Sequence, residues 1–483
     1  MQRATFAVSL GLLASAAAGC GDDAKDTANA PAGASAAAPK AARPWHVVKT
    51  YDVPGELPHS SSGTLSYDDR GNAVAAWPIG PKDGAEYQHD LALLPVSADG
   101  KAGTPNRHDG FVFAGPVGAP NGDGEFVESG NNDDARAFSG LSVRRAGTDG
   151  AVDDVQQLLP HDNTTMQIGA NTAVLAGAPG GASIVAWTQY EADAGPDGEE
   201  RLQAAIRPRA GAAYGTPITL RLGPGGLNDP GGLSAAIDKD GRVAVVYADD
   251  GLEGQAGVQL WTGSATAGFG SPIELGEGST TNEARTAITT TGRTIVAWGE
   301  YAHGEEPHSP WIVRSASVAA GETKPSRVDT IGKSTDVVVP STNIELVAGP
   351  SGTALVAWTQ YRGKLDTGNR IAEANATGRF GMDRDLPGDS IGGLAVREDG
   401  AAVVTVSDGG DADPAQWYAL GRPPGGIAFG AVEPLAGGAA AAAGLTAPEP
   451  FYSPKTAQAS IAWAEPGAAG KPARLVVQTR ERQ

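Results

Sequence analysis

Apolar and polar positions alternate in short bursts along this chain, and the bursts recur at a near-constant spacing. Six segments share one pattern: a glycine, then alternating small and β-branched residues, then an aromatic or apolar residue six positions on. They are Gly71–Trp77, Gly181–Trp187, Gly241–Tyr247, Gly292–Trp298, Gly352–Trp358 and Gly400–Val406. A seventh copy ends at Trp463 with Ala457 in the glycine position, and a degraded eighth begins at Gly124. Alternation with period two predicts strands, because side chains i and i+2 share one face of a sheet. The eight starts are separated by 53, 57, 60, 51, 60, 48 and 57 residues. A period of that length predicts a solenoid, an array or a propeller.

The flanks of each copy complete a unit. A short strand precedes each glycine, as in Leu233–Ile237 or Leu394–Val396, through turns such as DKDG and REDG. Glycine at the last turn position suits a tight hairpin. A polar loop follows each aromatic residue, then a third alternating strand such as LQAAIR from Leu202 or LVVQTR from Leu475. A fourth element follows most of these, clearest as YGTPITL from Tyr214 and FGSPIEL from Phe269. Four antiparallel strands per unit predict the blade of a β-propeller. The last unit stops after its third strand, whereas Trp45–Val53 has strand character and no partner of its own. The expected fold is therefore all-β, a propeller of eight four-stranded blades (seven being the alternative) over residues 45–483, closed by the N-terminal strand. Closure removes the exposed edges that an open array would carry.

The repeat resembles those of bacterial secreted and surface propellers, in which a D-x-x-G-x-x-x-V-A-W hairpin precedes an apolar strand and an F-G-x-P-x-x-L strand. The likeness runs from Trp45 to Gln483. The chain lacks the Trp-Asp ending of WD40 blades, the paired glycines of kelch blades and the Ser-x-Asp-x-Gly-x-Thr-Trp box of sialidases. The resemblance thus implies a fold and says little about activity.

Cys20 is the one cysteine of 483 residues, so it has no partner for an intramolecular disulfide. It follows an apolar run, Ala4 to Gly19, with Arg3 as the basic flank, which has the length of a signal h-region and not of a membrane span. Small residues before Cys20 resemble a bacterial lipobox. That likeness implies cleavage of residues 1–19, diacylglycerol on the Cys20 sulfur, and anchoring in an extracytoplasmic membrane leaflet of the cell envelope. Ala17 stands where the motif favours leucine, and ordinary cleavage near Ala18, giving a secreted protein, is the rival. Residues 20–44 hold no aromatic residue and no apolar period, and read as a flexible tether. The formal net charge of −20 excludes nucleic acid as a partner, which would demand a basic surface.

Candidate chemistry falls into three groups. Trp77, Trp187, Trp298, Trp358 and Trp463 recur at one repeat position, which predicts packing between blades. Second, alternating strand direction puts every loop between second and third strands on one face. Those loops carry Glu199, Glu200, Asp249, Asp250, His303, Glu305, Glu306 and His308. They are either a solvated acidic surface or a rim for cations, amines or basic peptides. Third, Asn121, Asp123 and Glu125 offer oxygens at alternate positions, as calcium loops do, without the EF-hand glycine and terminal glutamate. Calcium is the candidate cation. His303-x-Glu-Glu-x-His308 lacks the helical spacing that aims two histidines at one zinc.

The expectation is a membrane-anchored lipoprotein whose propeller is a binding or scaffolding module for a protein, peptide or carbohydrate. The alternative is a carbohydrate-active enzyme, glycosidase or lyase, in the central funnel. Such an enzyme needs unrepeated polar residues at the axis, where the first strands are expected to present small residues such as Ser66, Ala235 and Ala287.

Overall fold

The computed structural model describes residues 45–53, 64–67, 70, 72–79, 90–96, 103–108, 117–118, 124–131, 138–146, 152–160, 166–191, 199–224, 232–249, 257–276, 280–301, 311–333, 343–361, 367–408, 416–435, 447–452, 458–465 and 473–480. The chain divides into two units, residues 1–40 and 41–483. Every described strand belongs to the second, so Cys20 and the expected signal and tether lie outside the described residues.

The described strands sort into eight antiparallel blades with four strand positions each, as the eightfold repeat predicts. In blade 4 two short segments, Gly268–Phe269 and Ile273–Gly276, share the outer position, and blade 8 takes its outer strand from the N-terminal end. Blade 5 shows the plan, running outward through Thr280–Ile288, Thr294–Tyr301, Trp311–Val318 and Arg327–Lys333. The innermost strands are Thr64–Tyr67, Val117–Gly118, Met166–Gly177, Ser234–Ile237, Thr280–Ile288, Ile344–Ala348, Ser390–Val396 and Glu449–Tyr452. Successive members of this series lie against one another from the first to the last, and blades 8 and 1 share an apolar cluster of Ala75, Trp77, Leu94, Ala462 and Phe451 that completes the ring. The degraded copy at Gly124 builds a full blade, which removes the seven-bladed alternative. Its sheet also joins blade 3 through one pairing, Ile168 opposite Phe138.

The ends of the chain meet in blade 8. His46–Val53 pairs antiparallel with Ala473–Arg480, from His46 opposite Thr479 to Val53 opposite Ala473. The N-terminal strand thus covers the edge that the unfinished last repeat would expose.

The repeat signature follows from two local demands. Gly181, Gly241, Gly292, Gly352 and Gly400 close the first hairpins at φ of +73°, +76°, +79°, +84° and +84°. That region penalises a Cβ, so glycine recurs there. The tryptophans are the second demand. Trp187, Trp298 and Trp358 are fully buried, and each joins an apolar cluster with the preceding blade. Trp358 lies so close to the outer strand of blade 5 that a Cβ on Gly332 would sit 2.6 Å from its ring. Burying each ring stabilises the blade interface by about 2 kcal/mol.

Arginines that end third strands add polar locks between blades. Arg207 of blade 3 pairs with Glu125 of blade 2, both fully buried. Arg422 of blade 7 pairs with Glu373 of blade 6 at 2.9 Å, and Arg480 of blade 8 with Glu433 of blade 7.

Candidate functional site at the propeller axis

Strand register identifies equivalent positions on the innermost strands. The residue opposite the position just before the aromatic end of the second strand is Thr64 in blade 1, Val174 in blade 3 and Ser234 in blade 4. It becomes Arg285 in blade 5, Glu345 in blade 6, Gly393 in blade 7 and Glu449 in blade 8. This rung of the inner ring is thus small or apolar in blades 1, 3, 4 and 7 and charged in blades 5, 6 and 8. Glu283, at a register shift just ahead of Arg285, adds a third carboxyl group.

These charges act on one another across blades. Burial pushes Glu283 up to about 7, opposed by the Arg285 charge and by a hydrogen bond from the Ile344 N–H, and aided by Glu345. Burial also raises Glu345, with Arg285 as the opposing charge. Glu449 rises to about 8, first through burial and then through the Glu345 charge. Solvent nevertheless reaches the Glu449 side chain. Ionisation is costly wherever surrounding protein displaces the water a carboxylate needs. Carboxyl groups that hold protons near neutral pH are poised to release them to a cation or to donate them to a reacting group.

Hydrogen bonds stitch the inner strands and fix the backbone behind these groups. Ser234 Oγ accepts from the Thr286 N–H at 3.2 Å, Glu283 Oε2 from the Ile344 N–H at 2.8 Å, and Ser390 Oγ from Asn343 Nδ2 at 3.0 Å. Thr405 Oγ1 donates to the Pro448 carbonyl at 2.6 Å. Each bond crosses from one blade to the next. Among the described residues no three His, Cys, Asp or Glu side chains come close enough to hold a metal ion. Glu283, Glu345 and Glu449 come from blades 5, 6 and 8.

The residues singled out from sequence are placed differently. Glu199 forms an ion pair with Arg201 on its own strand. Glu200 accepts a hydrogen bond from the Tyr247 hydroxyl at 2.9 Å, in a crevice between blades 3 and 4 shared with Arg221. Asp249 ends the second strand of blade 4 opposite Gly257. Asp250, His303, Glu305, Glu306, His308, Asn121 and Asp123 lie outside the described residues. Glu125 is fully buried, with Tyr214 and Ser183 hydroxyls on Oε2 at 2.9 and 3.0 Å and Arg207 and Arg145 against Oε1. Both of its oxygens already serve protein partners.

The expectation of small residues at the axis needs correction at Ala235 and Ala287, while the Ser66 side chain lies outside the described residues. Ala287 is packed between blades with Trp311 and Trp358, and Ala235 packs against the cluster of blades 3 and 4. The charged axial residues Arg285, Glu345 and Glu449 stand on innermost strands, whereas the acidic residues expected to act cluster around the loops between second and third strands. The available signal was spacing for two of the axial residues: Arg285 and Glu345 stand seven residues before their hairpin glycines, where Val174, Ser234 and Gly393 stand in other copies, whereas Glu449 stands eight before Ala457 and is placed on the rung by pairing alone.

No protein-family model matches this chain, and no curated protein matches it. Solved structures do. A protein of unknown function from Dyadobacter fermentans is 13% identical, covering 91% of this chain and 99% of its own, with a TM-score of 0.39. The β-propeller domain of the Trilobed protease from Pyrococcus furiosus is 10% identical, covering 74% and 95%, with a TM-score of 0.39. An α-L-arabinofuranosidase from Fusarium graminearum is 10% identical, covering 89% and 98%, with a TM-score of 0.40. At these values they carry no argument about activity, and the propeller rests on the strand order and pairing described above.

Proposed function

We propose that this protein is a lipid-anchored extracytoplasmic propeller that binds a ligand with separated positive charges, an amine or a basic peptide, at the axis of its ring. The observation that carries this reading is the unrepeated charged rung of Arg285, Glu345 and Glu449, with Glu283 beside it. Symmetry accounts for whatever recurs in a repeat protein. A break in symmetry at a solvent-reached axial position, made of groups that are costly to ionise there, calls for a ligand that supplies the missing counter-charge. Carboxyl groups spread over blades 5, 6 and 8 suit charges spaced along a chain better than a single ion.

The test is calorimetric titration of the purified protein with spermidine. Binding should tighten between about pH 6 and about pH 8.5, because the carboxyl groups must lose protons to pair with ammonium groups. Glu345→Gln with Glu449→Gln should weaken it by about tenfold or more, the usual worth of close charge pairs. Absence of binding by spermidine and by a lysine-rich peptide at every pH would sink the reading.

A carbohydrate-active enzyme at the same place is the second reading, favoured by one observation. Glu283 and Glu449, near 7 and 8, hold protons where a general acid must, while Arg285 acts on Glu283 and Glu345 to favour their ionised forms. Turnover of aryl glycosides, lost in Glu449→Gln, would favour it over simple binding.

A further inference from the structure

We infer that Thr405 is a positioning residue for Glu449, an inference that rests on the axial ligand reading above. The position just before the aromatic end of the second strand is alanine in blades 1, 3, 5, 6 and 8, at Ala76, Ala186, Ala297, Ala357 and Ala462. Blade 4 has Val246 and blade 7 has Thr405. Thr405 is fully buried, and a buried hydroxyl requires a partner. It finds one in the next blade, donating to the Pro448 carbonyl at 2.6 Å.

The path between blades is open because the facing strand carries glycine twice. A Cβ on Gly392 would lie 2.8 Å from Thr405 Oγ1, 3.1 Å from the Pro448 oxygen and 2.7 Å from the Trp417 ring. A Cβ on Gly393 would lie 2.8 Å from Pro450 Cδ. The register of this strand also shifts between Ile391 and Gly393, which brings both glycines against blade 8. Pro448 and Pro450 are buried on either side of Glu449, which alone of the three is exposed. Two fixed φ angles and one anchored carbonyl leave the Glu449 backbone little freedom. Blade 7 therefore departs from the repeat at Gly393 and from the alanine blades at Thr405, and these two residues together with Gly392 meet the segment that carries the axial carboxyl group.

The test uses Thr405→Ala, which installs the residue of five other blades, and Thr405→Ser, which keeps the hydroxyl. Melting temperatures within about 4 °C of wild type would show both fold; should Thr405→Ala melt lower, Thr405→Val, which fills the same volume, takes its place. Spermidine affinity at about pH 8.5 should fall about fivefold in Thr405→Ala, the worth of one hydrogen bond, and return in Thr405→Ser. In a Glu449→Gln background Thr405→Ala should change nothing further, since its effect acts through Glu449. Equal losses in both backgrounds would overturn the inference and leave Thr405 a packing residue. If the wild type binds no spermidine, the axial ligand reading fails by itself. Positioning is then read from the carbon-13 NMR titration of the Glu449 carboxyl group, assigned through Glu449→Gln. Its midpoint should move in Thr405→Ala and not in Thr405→Ser, and an unmoved midpoint overturns the inference.

Discussion

Glu283 accepts a hydrogen bond at 2.8 Å from the backbone N–H of Ile344, joining the innermost strands of blades 5 and 6. An innermost strand is the free edge of its sheet, so its outward amides need partners that the ladder cannot supply. Here a side chain from the neighbouring blade supplies one, and that same side chain faces the charges of Arg285 and Glu345. The ring seam and the axial charge cluster therefore share an atom. A change in the protonation of Glu283 is felt both as a change in charge at the axis and as a change in the acceptor strength at the seam.

Stability should consequently fall as pH rises through neutrality. Glu283 and Glu449 have folded-state values near 7 and 8 against an ordinary value of 4.5, so the folded state holds protons that the unfolded chain has released. Their contribution is complete below the ordinary value and is lost as pH climbs through 7 and then 8. The urea midpoint should be higher at about pH 5.5 than at about pH 8.5, and Glu283→Gln with Glu449→Gln should flatten the difference. A pH dependence identical in the double variant would assign the effect to general repulsion at high net negative charge.

The Glu125 lock makes a second prediction. Glu125→Gln would leave the fully buried Arg207 without its counter-charge, since the Arg207–Glu125 pair has no exposed atoms to speak of. Removing one partner of such a pair destabilises by about 3–5 kcal/mol, whereas replacing both by apolar residues is often neutral. Urea unfolding should therefore rank Glu125→Gln well below Glu125→Leu with Arg207→Met. The reverse order would show that the charges themselves, and not the penalty for orphaning one, hold blades 2 and 3 together.

The fold was legible in the sequence because a propeller repeats its constraints. The hairpin glycine at positive φ and the interblade tryptophan recur blade after blade, and the copy at Gly124 could be placed by spacing although its tryptophan is gone. The site was harder to see for the opposite reason. Glu345 and Glu449 are single carboxylates in a chain with 56 acidic residues, and nothing in composition separates them from solvated ones. Counting back from the hairpin glycine puts Glu345 on the rung held by Val174 and Ser234 elsewhere, but for Glu449 only pairing does so. Glu125 misled because oxygen spacing along the chain suggested a calcium loop, while burial delivered its carboxylate to Arg207. A local pattern cannot report a partner from the next blade.

The anchor is tested at Cys20. Cys20→Ser removes the one thiol without touching any residue of the repeats, so the protein should leave the membrane fraction and keep its melting temperature. Two or more acyl chains, at about 0.8 kcal/mol per buried methylene, hold a protein on a bilayer almost irreversibly. Detergent-phase partitioning that is unchanged by the substitution would rule out lipidation at this residue.

Ring closure makes the last prediction. The strand His46–Val53 is the outermost strand of blade 8, and Trp45 just before it lies beneath the Arg480 guanidinium, 5.2 Å from its ring centre. Trp45 also packs against the cluster that contains Trp417, Val403 and Trp463. Deleting residues 21–43 removes none of these contacts and should leave the melting temperature unchanged. Extending the deletion through Val53 strips the partner from Ala473–Arg480, exposing its backbone edge, and withdraws the ring that stacks on Arg480, an arginine that also reaches Glu433 in blade 7. The longer deletion should therefore lower the melting temperature by about 5 °C or more and bring on concentration-dependent aggregation through the bare edge. Adding a synthetic peptide of residues 44–54 should reverse part of both effects by filling the vacant strand position. Equal melting of the two truncations would mean that blade 8 is held by its neighbours alone and that the N-terminal strand does not close the ring.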